Sequence, residues 1–182
     1  MKAIKTAIPE VMVIEPLVHE DPRGYFFESF SKRDFEAATG LSVDFVQDNQ
    51  SKSCRGVIRG LHFQTGQHAQ AKLVRCVIGR VLDIALDIRP DSPTFGQHVA
   101  VELSGENRLA LFIPRGFAHG FAVLSDEAVF QYKCDNYYCH EAEGGISPVD
   151  PELHIDWQIS PDEAVLSSKD LSLPLFNQLF KR

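Results

Sequence analysis

The chain has 182 residues, a formal net charge of −7 at pH 7 and a hydrophobic fraction of 44%. That length suits one domain with a sizeable core, so residues 1–182 are read as a single domain. An acidic balance with no run of like charges argues against nucleic acid or an anionic membrane as partner, but a few placed cations could still hold an anionic small molecule.

Cys54, Cys76, Cys134 and Cys139 form no Cys-x-x-Cys pair. Cys134, Cys139 and His140 lack a second ligand pair, so free thiols in a reducing compartment are expected rather than a zinc site. Pro9 and Glu10 interrupt the N-terminal apolar residues before a signal-peptide core can form, and no apolar run is long enough to span a bilayer. A cytoplasmic protein is the expectation.

Residues 11–18 are apolar and broken by Glu15-Pro16, which suits an edge strand. His19–Gly24 carries turn chemistry, and the aromatic Tyr25–Phe30 predicts a strand. A short helix follows, with Ser31 as N-cap, Asp34 in the first turn and Gly40 at its end. Val43–Gln50 is a further strand candidate. Ala71–Ile78, the turn Gly79-Arg80 and Val81–Ile88 predict a β-hairpin. In its second arm Leu82, Ile84, Leu86 and Ile88 share one face, and Asp83, Ala85 and Asp87 the other. Gly96–Leu103, Leu109–Ile113, His119–Leu124 and Ala128–Cys134 continue the series. Short, evenly spaced strands predict an all-β sandwich or small barrel. Ser160-Pro161-Asp162-Glu163 has the form of a helix start.

The chemistry concentrates in Arg59-Gly60-Leu61-His62-Phe63-Gln64 and Gln70-Ala71-Lys72-Leu73. If Leu61–Gln64 and Ala71–Val77 are neighbouring strands, His62 and Lys72 project into one cavity. An imidazole can take a proton near neutral pH, and an ammonium can stabilise an oxyanion. The pair therefore suggests proton abstraction beside a carbonyl; a core histidine with a solvated lysine is the competing reading.

Pro114–Phe121 is a second anchor, in which a Pro and two glycines fix His119 at a bend. Its Pro-x-Gly-x-x-His pattern is similar to the second motif of cupins, which are small β-barrels. The His-x-His of the first cupin motif is incomplete at His62-Phe63-Gln64, so neither a bound metal nor another cofactor is expected. His119 is then a residue that orients substrate or a neighbour.

Together with Asp21–Glu28, Gln47–Ser51, Asp83–Arg89, Ser92–Gly96, Gln131–Lys133, Gly144–Ile146 and Ser168–Asp170, these segments resemble the dTDP-4-dehydrorhamnose 3,5-epimerase family from about Asp21 to Asp170. The resemblance implies a cupin-like jelly-roll β-barrel with a few short peripheral helices, assembled as a homodimer. The implied substrate is a dTDP-4-keto-6-deoxy sugar, whose protons on carbons 3 and 5 are acidified by the ketone between them. Epimerisation needs a base, an oxyanion stabiliser and an acid on the opposite face. The resemblance makes His62 the base with Asp170 as its partner, Tyr132 the acid, and Lys72 the enolate stabiliser, with Asp83 a possible orienting partner of Lys72. It sets Arg59 and Lys169 at the diphosphate or sugar, and Gln47, Asn49, Tyr138 and Glu143 among the binding residues. Arg23, Phe26 and Glu28 would reach the nucleotide from the neighbouring subunit. Asp48, Ser147-Pro148 and Leu109-Ala110-Leu111 depart from the family pattern at the rim of the pocket.

Overall fold

The computed structural model describes residues 1–180, so the last two of the 182 residues lie outside the described span. Thirteen strands, β1 (Lys2–Lys5), β2 (Met12–Glu15), β3 (Val18–Asp21), β4 (Gly24–Phe27), β5 (Gln47–Cys54), β6 (Ile58–Gln64), β7 (Lys72–Ile78), β8 (Arg80–Asp87), β9 (His98–Ser104), β10 (Ala110–Ile113), β11 (Phe117–Val123), β12 (Glu127–Cys134) and β13 (Glu143–Gly145), make up most of the regular structure. Six form one antiparallel sheet in the order β1-β2-β10-β7-β12-β5, and five form the facing sheet in the order β13-β6-β11-β8-β9. Among the described residues β3 and β4 pair only with each other, as a two-stranded ribbon. This is the cupin-like jelly roll that the strand pattern and the resemblance led us to expect.

Alternation along each strand sorts the apolar residues into three layers. Between the sheets lie Val74, Ala85, Leu111, Phe121 and Phe130. Behind the five-stranded sheet, Leu82, Ile84 and Leu86 of β8 pack on Ile146, Leu153 and Trp157 of the C-terminal segment. Behind the six-stranded sheet, helix α1 (Lys32–Thr39) lays Phe35 against Phe112, Phe30 and Phe45. Phe35 is fully buried, which stabilises the fold by about 2–3 kcal/mol. The helix is bounded as expected: Ser31 accepts from the Asp34 N–H, and Gly40 takes the left-handed conformation with φ 73°.

Several local expectations give way to longer-range pairing. β7 and β8 are not a hairpin. β7 pairs with β10 and β12, and β8 with β9 and β11, so Gly79 carries the chain from one sheet to the other. Its φ is 81°, and a Cβ there would lie 2.0 Å from the Glu127 carbonyl oxygen. Residues 11–18 split at Pro16, and β2 is internal because the unanticipated β1 takes the edge. The turn expected at His19–Gly24 is shorter, since Asp21 already pairs with Gly24. β5 begins at Gln47, four residues after the expected start, and runs on to Cys54. Ser160–Glu163 makes one turn, not a helix, because the chain must then bridge from Val165 to Val57. Among the described residues no helix is long and apolar enough to cross a membrane.

Candidate active site

A cavity of about 720 Å³ opens between the sheets and is lined from both. β6 and β11 supply His62, Arg59, His119 and Phe121 from the five-stranded sheet; β5, β7 and β12 supply Gln47, Asn49, Lys72 and Tyr132 from the six-stranded sheet. His62 and Lys72 do meet in one cavity, but across it, because their strands belong to opposite sheets rather than being neighbours.

β6 bends where it delivers His62. His119 pairs with His62 and Phe121 with Arg59, so β6 spends two residues, Gly60 and Leu61, against the single Gly120. The approach requires glycine on both strands. A Cβ on Gly60 would sit 2.6 Å from Gly120 Cα, and one on Gly120 would sit 2.7 Å from the Arg59 carbonyl oxygen. The bulge lets both His62 and Arg59, three residues apart, line the same cavity.

His62 Nε2 lies 2.6 Å from Asp170 Oδ1. Asp170 is buried on the short helix α2 (Ser168–Leu171). The Ser167 hydroxyl donates to Asp170 Oδ2 (2.8 Å) and accepts from the Asp170 N–H (3.0 Å). Ser167 was not singled out from the sequence, although Ser167-Ser168-Lys169-Asp170 has the Ser-x-x-Asp form of a helix cap. With Nε2 held by the carboxylate, Nδ1 is the ring nitrogen left to take a proton. Burial lowers the imidazole pKa, and the hydrogen bond and charge of Asp170 only partly offset it. The pairing itself raises basicity as expected; burial outweighs it.

Lys72 is half-buried on the facing wall, and burial lowers its pKa. Among the described residues no carboxylate lies within ion-pair distance of its ammonium, which leaves its N–H donors for a ligand. Asp83 is therefore not its bonded partner. It is fully buried, with Oδ2 2.9 Å from His119 Nε2, and acts on Lys72 through charge alone. Asp83 shares its face of β8 with Ala85, which lies between the sheets, and the facing sheet keeps it from solvent. Tyr132 stands two residues along β12 from Phe130, which stacks on Phe121 at a centroid distance of 4.2 Å. Burial raises the Tyr132 pKa above the ordinary phenol value, so the hydroxyl keeps its proton at neutral pH.

At the mouth Lys169 lies 2.6 Å from Glu143 Oε2, which also accepts from the Tyr138 hydroxyl (3.0 Å). Arg59 donates through Nε to Ser53 Oγ (3.0 Å), and its terminal nitrogens have no protein partner among the described residues. Gln47 and Asn49 face the cavity and bond to one another (3.0 Å). Arg23, Phe26 and Glu28 are elsewhere: they sit on or beside the exposed β3–β4 ribbon and do not line this cavity. Arg23 pairs with Asp21. Among the described residues no group of three or more His, Cys, Asp or Glu could hold a metal ion, and His62 and His119 each bond a carboxylate instead.

Fold and cavity together define a cupin-like sugar isomerase. The chain belongs to the dTDP-4-dehydrorhamnose 3,5-epimerase family, whose model matches residues 5–178. It is 54% identical over 180 residues to the dTDP-4-dehydrorhamnose 3,5-epimerase of Salmonella typhimurium, covering 98% of this chain and 97% of the relative. Among solved structures, the dTDP-4-dehydrorhamnose 3,5-epimerase of Elizabethkingia anophelis superposes with a TM-score of 0.93 at 54% identity, covering 98% of this chain and 97% of that one. A dTDP-6-deoxy-D-glucose-3,5-epimerase of Legionella pneumophila in complex with dTDP-4-keto-L-rhamnose gives 0.94 at 49%, covering 98% and 94%.

Proposed function

We infer that this chain converts dTDP-4-dehydro-6-deoxy-D-glucose into dTDP-4-dehydro-L-rhamnose by inverting carbons 3 and 5, with His62 as base and Tyr132 as acid. The observation that carries this reading is their placement on opposite walls. Inversion requires that a proton leave one face of the sugar and return on the other. His62 belongs to the five-stranded sheet and Tyr132 to the six-stranded sheet, and facing sheets stand about 10 Å apart. A sugar ring between them meets the base on one face and the acid on the other.

The steps follow from the groups present. Neutral His62 removes the proton beside the ketone through Nδ1, and Asp170 stabilises the imidazolium that forms. The electron pair moves onto the ketone oxygen, where the ammonium of Lys72 stabilises the enolate. Tyr132, still a phenol, delivers a proton to the far face of the same carbon. Arg59 suits the diphosphate through its planar fork, and Lys169 adds a second cation at the mouth.

We also propose a homodimer in which Arg23, Phe26 and Glu28 complete the neighbour's site. Phe26 is 68% exposed and Tyr25 55%, an apolar ribbon that a second subunit would cover. A fully active monomer in sedimentation would refute this part.

Turnover in deuterated water tests the function. Two deuterons per product support inversion at both carbons, one restricts the enzyme to a single carbon, and none refutes the epimerase.

A further inference from the structure

The two segments that carry His62 and Lys72 each contain a glutamine, Gln64 and Gln70, to which the reaction gives no role. Among the described residues neither amide bonds to another side chain. Both grip the backbone of the segment Asn136–Cys139, which follows β12 and brings Tyr138 to the cavity lining. The Cys139 N–H donates to Gln64 Oε1 at 2.7 Å, and Gln64 Nε2 reaches the Cys139 carbonyl at 3.5 Å. Gln70 Nε2 donates to the Asn136 carbonyl at 2.8 Å. A third glutamine, Gln47 on β5, accepts from the Tyr138 N–H at 3.1 Å. One short segment is thus tied at both ends and its middle, from both sheets, through backbone groups whose own neighbours offer no ladder. The side chain so placed is Tyr138, whose hydroxyl donates to Glu143, the carboxylate that also holds Lys169.

We propose that Gln64 and Gln70 are positioning residues: they hold Asn136–Cys139 so that Tyr138 closes a clasp with Glu143 and Lys169 over the nucleotide-sugar cavity. This rests on the reading of that cavity given above. Gln64 follows His62 on the same face of β6, so a direct contact with the sugar is the rival role. The two roles separate because a positioning residue acts only through the group it positions. Among the described residues the clasp shares no hydrogen bond with His62, Lys72 or Tyr132 and reaches them through charge alone, so its loss weakens binding more than chemistry.

The test is a double-mutant cycle with Gln64→Met, which keeps the length and removes both polar ends, and Tyr138→Phe, read by steady-state kinetics and melting temperature. Gln64→Met should raise KM about ten-fold, the loss of one net hydrogen bond, with kcat within about two-fold. In the Tyr138→Phe background the same change should move KM by less than about two-fold. Gln70→Met should repeat the pattern, and carries the test if Gln64→Met does not fold. Equal KM effects in both backgrounds would overturn the proposal in favour of direct contact. A fall in melting temperature with KM and kcat unchanged would overturn it in favour of a structural tie. Absent turnover by the wild type fails the underlying reading; normal wild-type turnover with additive variants fails this proposal alone.

Discussion

The cavity holds two histidine–carboxylate pairs, directly opposed across β6 and β11, and they are built differently. In His62–Asp170 the imidazole side chain is 31% exposed and its carboxylate comes from a helix in the C-terminal segment. In His119–Asp83 the values are 8% and 0%, and both partners sit on adjacent strands of one sheet. Among the described residues Asp83 Oδ1 has no hydrogen-bond partner, and burial raises the pKa of this carboxylate. Both imidazoles line the cavity, but under the proposed mechanism the more exposed His62 is the base, whereas His119 and Asp83 tie two neighbouring strands together. A third carboxylate sharpens the point. Asp87, at the end of the same strand and also shielded from solvent, has its pKa pushed down to about 2 despite the opposing cost of burial, because Arg89, Ser92 and Thr94 all donate to it. Satisfied hydrogen bonds, not burial alone, decide the sign.

Substitutions can break that comparison. The largest effect is expected at the base: His62→Asn should lower solvent exchange at both carbons by about 10³-fold or more, with nucleotide-sugar binding retained. Wild-type exchange rates in that variant would remove His62 from the mechanism.

Next comes Asp170→Ala against Asp83→Ala. The first should lower kcat/KM about 100-fold with little change in melting temperature. The second should keep activity within about three-fold and lose roughly 1–3 kcal/mol of stability, since it strands a buried imidazole N–H. Equal losses of activity would put both pairs in catalysis.

Tyr132→Phe should lose most net epimerisation yet keep measurable deuterium wash-in at carbon 3, because His62 and Lys72 still form the enolate. Inversion at the normal rate would make Tyr132 a packing residue only.

The pH profile separates the pairs further. The proposed mechanism requires neutral His62, whose pKa burial lowers from the ordinary 6.5, so the acid limb of kcat/KM should fall below that value. Asp170 raises the pKa, so Asp170→Ala should move the limb lower still, whereas a shift upward would contradict the pairing.

The smallest effect on activity belongs to Asp87. Its depressed pKa contributes stability that is present above the unfolded value near 3.9 and lost as pH falls through about 2. Asp87→Asn should therefore lower the melting temperature by about 5–10 °C at neutral pH, and the gap to the wild type should close in acid. A constant gap would show that packing, not charge, holds this turn.

What could be read from the chain by itself was of short range. The caps of α1 were legible because Ser31, Asp34 and Gly40 act within a turn of one another. The apolar face of β8 was legible because alternation is a local property. Motif resemblance assembled His62, Lys72, Tyr132 and Asp170 as a set, and the structure brings all four to one cavity. Tertiary structure decided which wall each stands on. A tight turn at Gly79 serves equally for a hairpin and for a strand that crosses between sheets; only the partners at β9, β10, β11 and β12 choose. That crossing sends β7, with Lys72, to the sheet facing His62. The Asp83–His119 bond and the three glutamine ties to Asn136–Cys139 were likewise invisible, because each joins residues at least 36 positions apart. Local propensity acts over a few residues, whereas the faces of this cavity are set by pairing between strands distant in the chain.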